Sequence, residues 1–273
     1  MNEPVSEPSG DTQPDRRPDW GWDRRPFLIA HRGYSSRAPE NTLASFEMAL
    51  NAGAEVLECD VQLTRDGVVA VMHDPDVDRT TDGKGPLQQK SWAQVRSLDA
   101  GYADRFGETF AGQRVPRLEE VLELARHRAQ VFIEIKPEAL GSGPDGIELE
   151  TLRAAERTGM IQDIGVLSFA PLALQRVHTH TAGIPLGLVF RWWRSRRLVP
   201  EALAVEADYI VVYAARLLRK PDIVQDARAH GLKVGAYVVD SNEHLQPMLA
   251  WGVDGIATNC IGDLMPALKE REP

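Results

Sequence analysis

The chain has 273 residues, of which 43% are hydrophobic and 26% charged, and its formal net charge is −9. That length exceeds a small stapled module and suits one large α/β domain or two ordinary ones, with an apolar share normal for a folded soluble protein. The acidic balance argues against nucleic acid, which needs a basic face, but leaves room for an anionic small molecule because salt screens distant charge beyond ~10 Å.

Residues 1–26 carry Pro4, Pro8, Pro14, Pro18 and Pro26 among acidic and arginine residues, with no apolar stretch of signal-peptide or membrane-span type. Their composition reads as a disordered tail, with Trp20 and Trp22 expected to pack where it joins a domain spanning 27–273. Apolar runs then fall at 27–31, 56–61, 131–135, 165–168, 186–190, 209–212, 234–239 and 255–258. Segments of helical spacing lie between most of them, at 42–51, 118–128, 148–157, 172–178, 221–230 and 242–250. This alternation predicts a parallel sheet covered by helices, and eight strands in about 250 residues is the repeat of a (β/α)8 TIM-type barrel. The alternative is an open doubly wound sheet, but no G-x-G-x-x-G turn follows the first strand. With Cys59 and Cys260 as the only cysteines, a disulfide framework is excluded and a reducing, cytoplasmic compartment is expected.

One run, 68–72, breaks the alternation. It follows 56–63 after only Thr64-Arg65-Asp66-Gly67; Asp-Gly signals a hairpin, and so short a link forces an antiparallel return. Pairing Leu63 with Val68 sets Glu58 opposite His73, whereas pairing Arg65 with Val68 sets Asp60 opposite His73. Residues 75–116 then form a small insertion after the second barrel strand, with one helical piece at 92–98. It reads either as a lid over one face or as a packed surface excursion.

Period-two alternation points Glu58 and Asp60 the same way and Cys59 the other, and it puts Glu134 and Lys136 on one face. A lone Glu-x-Asp usually marks a solvated face or a structural ion pair. Here the neighbours Val56, Leu57 and Val61 are apolar and a second pair recurs at 134 and 136. At the carboxyl ends of barrel strands, Glu58, Asp60 and Glu134 would form a carboxylate group that needs a cation, and oxygen donors suit Mg²⁺ or Ca²⁺. His31 and His73 then supply an acid–base pair for phosphodiester hydrolysis. Arg32 and Lys136 either neutralise phosphate oxygens or form salt bridges with the same carboxylates. Gly33 serves the strand-to-loop turn.

The ordered set His31-Arg32-Gly33, Pro39-Glu40-Asn41-Thr42, Glu58-x-Asp60-Val61, Asp66-Gly67, His73-Asp74, Arg79-Thr80-Thr81-x-Gly83-x-Gly85, Leu98-Asp99-x-Gly101, Glu134-x-Lys136 and Asp254-Gly255-Ile256-x-Thr258 resembles the glycerophosphodiester phosphodiesterase family. The resemblance implies a TIM-type barrel that hydrolyses glycerophosphodiesters to glycerol 3-phosphate and an alcohol. It also implies that Glu58, Asp60 and Glu134 hold Ca²⁺ or Mg²⁺, that His31 and His73 act as general acid and base, and that Arg32 and Lys136 contact phosphate. Glu40 and Asn41, opening the first helix, are expected to serve turn and cap structure.

Four residues depart from the family's usual pattern. Tyr237-Val238-Val239-Asp240 stands where Trp-Thr-Val-Asn is usual, and Thr258-Asn259 where Thr-Asp is usual. Tyr237 can still supply an aromatic wall with a polar tip for substrate. Asp240 is expected to disfavour an anionic headgroup and to favour a cationic one such as choline. The Trp/Arg-rich run 190–198 reads as the start of an amphipathic helix or as a contact with a lipid headgroup surface. Two other activities fit the same residues: a lysophospholipase D, and a barrel that binds glycerophosphodiesters without turnover, although a mere binder would not need both histidines.

Overall fold

In a computed structural model that describes residues 26–143, 146–181, 183–191 and 197–269, every apolar run of the sequence becomes a strand. The strands are β1 (Phe27–His31), β2 (Val56–Leu63), β3 (Val69–Val71), β4 (Gln130–Ile135), β5 (Ile164–Ser168), β6 (Leu186–Phe190), β7 (Tyr209–Tyr213), β8 (Lys233–Tyr237) and β9 (Gly255–Thr258). All but β3 are parallel, in the order β1-β9-β8-β7-β6-β5-β4-β2, and the pairing of β1 with β2 closes the ring. Residues 1–25, most of the expected tail, and residues 192–196 of the Trp/Arg run lie outside the described residues.

Two apolar layers follow from strand periodicity. Inside the barrel, Phe27, Ile29, Val56, Phe132, Leu167, Val189, Tyr209 and Ala257 fill the centre. On the other face Leu28, Ala30, Leu57, Cys59, Val61, Ile133 and Ile135 pack against helix side chains such as Phe46, Leu118 and Leu122. Six expected helices are present as Leu43–Asn51, Leu118–Ala125, Ile147–Arg157, Pro171–His180, Asp222–Ala229 and Asn242–Trp251. Leu198–Leu203, Ala214–Arg219 and Ile261–Lys269 are further helices that the apolar spacing did not mark. No described helix is long and apolar enough to cross a membrane.

The hairpin register differs from both expectations. Leu63 pairs with Val69 and Val61 with Val71, so Asp60 falls opposite Met72, whose N–H donates to the Asp60 carbonyl at 2.9 Å. The cause is a three-residue loop: Gly67 N–H donates to Thr64 O at 3.0 Å, Thr64 N–H donates to Val68 O at 3.0 Å, and Gly67 takes φ +83°. This geometry, a turn followed by a left-handed residue, lies between the two-residue and four-residue links weighed above.

The insertion is a packed excursion with its own core of Met72, Val77, Leu87, Val95, Ala100 and Val115. Its helix Trp92–Ser97 begins at Ser91, which accepts from Gln94 N–H while the Gln94 side chain accepts from Ser91 N–H.

Candidate active site

At the end of β1 the chain turns through Arg32 at φ +57° and Gly33 at φ +83°. A Cβ on Gly33 would lie 2.6 Å from the Ser45 carbonyl carbon and 2.8 Å from Phe46 N, so only glycine fits. The left-handed Arg32 directs its N–H at Glu58, 3.0 Å from the backbone oxygen and 3.0 Å from Oε2. An arginine held in this region is a strained residue, kept there by the groups around it.

Glu58 and Asp60 point inward from β2 and Glu134 from β4, where Asp60 and Glu134 are register partners. The three are buried, and each offers one oxygen within 4.8 Å of the others. Lys136 Nζ reaches Glu134 Oε1 at 2.6 Å and Asp60 Oδ1 at 3.2 Å. Arg32 Nε stands 3.0 Å from Asp60 Oδ2, a charge contact without hydrogen-bond alignment, and its Nη1 donates to Glu40 Oε1 at 2.8 Å. Both cations are therefore ion-paired with carboxylates, the second of the two arrangements weighed for them.

Three carboxylates facing two cations leave negative charge uncompensated. Burial, then the charges of Asp60 and Glu134, push the Glu58 carboxyl well above its ordinary range. Burial also raises Glu134, against the pull of Lys136. Asp60 goes down instead, because Arg32 and Lys136 outweigh its burial. Glu58 Oε1 is buried with no hydrogen-bond partner among the described residues, a costly state for a carboxylate oxygen. An unpartnered oxygen in an all-oxygen donor set fits a hard divalent cation.

His31 lines an apolar-floored cavity of about 40 Å³ together with Glu58, Glu134 and Tyr237. Its Nδ1 lies 2.8 Å from Asn259 Oδ1. Burial and then the charge of Arg32 push His31 down to about 4. His73 follows β3, and its charge is felt by both Asp60 and Glu134, although the register sets Met72 opposite Asp60. Its Nδ1 sits 2.6 Å from Asp74 Oδ1, and Gln62 Nε2 donates to its carbonyl at 3.2 Å. The Tyr237 hydroxyl donates to Phe190 O at 2.9 Å, and its ring meets Phe169 and Tyr213 edge-on.

Sequence reasoning assigned no site role to a ring of supporting residues. Glu40 is not a cap: Thr42 caps the first helix, accepting from Ser45 N–H. Glu40 instead accepts from Arg32 and, at 2.8 Å on both oxygens, from Arg79, which also donates to Asp74. Asn41, at φ +59°, donates from Nδ2 to Asp60 Oδ2 at 2.9 Å. The available signal was the recurrence of these residues in the quoted motifs; their partners depend on loop paths that periodicity does not describe. Asp240 accepts from Thr258 Oγ1, Asn259 N and Asn259 Nδ2, which ties it to the end of β9.

A TIM barrel that gathers these groups at its carboxyl rim stands among the hydrolases of phosphoric esters. The family model described as Glycerophosphoryl diester phosphodiesterase family matches residues 31–263. The chain is 35% identical over 240 residues to a glycerophosphodiester phosphodiesterase of Caldanaerobacter subterraneus, covering 85% of this chain and 93% of that one. It shares the fold of a glycerophosphodiester phosphodiesterase from Agrobacterium tumefaciens with a TM-score of 0.76 at 30% identity, over 89% of this chain and 99% of the other. A phosphodiesterase from Oleispira antarctica, solved in complex with the product sn-glycerol-3-phosphate, gives a TM-score of 0.82 at 26% identity, over 91% and 98%. The chain belongs to the glycerophosphoryl diester phosphodiesterase family and is a phosphoric diester hydrolase.

Proposed function

We propose that this barrel hydrolyses small glycerophosphodiesters to sn-glycerol 3-phosphate and an alcohol, with His31 as proton acceptor and His73 as proton donor. The observation that carries this reading is the buried, unpartnered Glu58 oxygen beside Asp60 and Glu134, with His31 lining the same cavity. Glu58, Asp60 and Glu134 would hold Mg²⁺ or Ca²⁺, which when bound compensates their charge and polarises the phosphoryl oxygens. Arg32 and Lys136 would meet the remaining phosphate charge, Arg32 as a fork and Lys136 as a point charge. The phosphate would then compete with Asp60 and Glu134 for the two cations.

Hydrolysis moves two protons. His31, held neutral by burial and by Arg32, takes the proton of the attacking oxygen on a ring nitrogen. His73, oriented by Asp74, is then the group left to protonate the departing alcohol. Tyr237 would wall the site with its ring while its hydroxyl stays tied to Phe190 O.

The test is turnover of glycerophosphocholine and of lysophosphatidylcholine, each with EDTA and with Mg²⁺ or Ca²⁺ restored. Cation-dependent hydrolysis of the first is expected. Faster hydrolysis of the second would replace the reading with a lysophospholipase D, and binding without turnover under both cations would replace it with a non-catalytic barrel.

A further inference from the structure

We propose that Asp240 and Asn259, neither of which lines the cavity, hold the His31 ring in its Nδ1–H form and so keep the Nε2 lone pair free for the substrate. This inference rests on the reading of His31 as proton acceptor, and it follows from which atoms can donate. A carboxylate accepts only. Asp240 Oδ1 takes Asn259 N–H at 2.8 Å and the Thr258 hydroxyl at 3.1 Å, and Asp240 Oδ2 takes Asn259 Nδ2 at 2.7 Å. The Asn259 amide therefore cannot turn over: its nitrogen faces Asp240 and its oxygen faces inward.

That oxygen receives two groups, Ser35 Oγ at 2.8 Å and His31 Nδ1 at 2.8 Å. An amide oxygen accepts only, so the proton between Asn259 and His31 belongs to Nδ1 and the neutral ring carries its lone pair on Nε2. The backbone reinforces the arrangement, because Ser36 N–H donates to Asn259 O at 3.0 Å; the one hydrogen of the Ser35 hydroxyl is shared between Asn259 Oδ1 and the His31 carbonyl oxygen 2.9 Å away. Asp240 and Asn259 are thus positioning residues that act through His31. In the proton transfer, Nε2 forms its N–H bond as the O–H bond of the attacking hydroxyl or water breaks, while Nδ1 keeps the proton it shares with Asn259.

The chemistry makes an unusual forecast for Asp240→Asn, a change at a residue whose hydrogen bonds go to Thr258 and Asn259 and not to His31. The new amide keeps its oxygen for Asn259 N–H and Thr258 and turns its nitrogen toward the Asn259 side chain. Asn259 must then rotate to present oxygen to it and nitrogen to His31, which moves the ring proton to Nε2 and removes the acceptor. Adding Asn259→Asp restores an acceptor-only group between that new amide and His31, so the exchanged pair regains the original form.

The experiment reads the ring directly by long-range ¹H–¹⁵N correlation, with the His31 signals assigned by their loss in His31→Gln, alongside kcat and KM for glycerophosphocholine with divalent cation. The expected result is Nδ1–H in the wild type, Nε2–H in D240N with kcat lower by about 100-fold and little change in KM, and recovery of both in D240N/N259D. Retention of Nδ1–H or of wild-type kcat in D240N overturns the proposal, as does Nε2–H in the wild type, a result that needs no variant to fold. If the wild type fails to hydrolyse any glycerophosphodiester, the functional reading falls, while the wild-type tautomer still upholds or overturns the role of the pair.

Discussion

His73 and Glu40 show what single side chains contribute at the rim. His73 has Asp74 on Nδ1 and takes no part in the carboxylate cluster itself. His73→Ala should lower kcat by at least ~100-fold while calorimetric binding of Mg²⁺ or Ca²⁺ and the circular dichroism spectrum stay as in the wild type. A fully active variant would refute its role as proton donor. Glu40 acts on stability. Burial alone would raise its carboxyl, but the Arg79 hydrogen bond and the charges of Arg32 and Arg79 hold it at about 2. A carboxyl whose folded value lies below its unfolded value stabilises above about pH 4.5, and the contribution fades as pH falls toward 2. The stability gap between wild type and Glu40→Gln should be about 3 kcal/mol near neutral pH and close by pH 2, as read by urea unfolding across pH. A pH-independent gap would mean that packing, not charge, is lost. At this scale the sequence discloses residues fixed by strand period, namely Glu58, Asp60, Glu134 and Lys136. It does not disclose Glu40, Asn41 or Asn259, whose partners are set by loops that leave the strands through left-handed or irregular backbone.

Among elements, the hairpin β2–β3 and the turn after β1 place glycine under opposite demands. Gly67 sits at φ +83° with nothing within 4 Å of where a Cβ would be, so Gly67→Ala pays only for backbone conformation, about 1 kcal/mol. Gly33 has the same φ, yet its Cβ would press on the backbone of Ser45 and Phe46. Gly33→Ala should therefore cost several times more, and it should lower kcat because Arg32 N–H must leave Glu58. Thermal melts and kcat of the two variants separate the cases, and equal losses would contradict the crowding at Gly33. Strand–helix alternation was legible because each apolar run is buried on a covered sheet. The exact hairpin register was not, since Asp-Gly allows two-, three- and four-residue links and only the Gly67 turn chooses among them. The insertion was legible as an interval without barrel strands, but its packing was not, because Met72, Val77, Leu87, Val95, Ala100 and Val115 are scattered through turns and short helices without a common period.

For the whole molecule, the rim joins elements that are distant in sequence. β1 brings His31 and Arg32, β2 brings Glu58 and Asp60, β4 brings Glu134 and Lys136, and the start of the insertion brings Arg79 onto Glu40. Closure of the barrel thus forces three carboxylates together against two cations, and the folded state alone carries that cost. Any divalent cation that fits should return stability on binding, by about 2.7 kcal/mol at a hundredfold excess over Kd. For a chain of this size that corresponds to a rise in Tm of about 5–10 °C. Mg²⁺ or Ca²⁺ added to chelated protein should raise Tm by that amount, EDTA should reverse it, and monovalent salt at equal ionic strength should not reproduce it. Glu58→Gln removes a ligand whose Oε1 has no other partner, so the variant should lose most of the cation-induced rise. Its chelated form should melt no lower than chelated wild type, because one of three crowded charges is gone. A wild-type Tm indifferent to divalent cations, with Glu58→Gln clearly destabilised, would instead make the cluster a structural ion-pair network closed by Arg32 and Lys136. Hydrolysis at this rim would then have to run without the charge compensation that its geometry calls for.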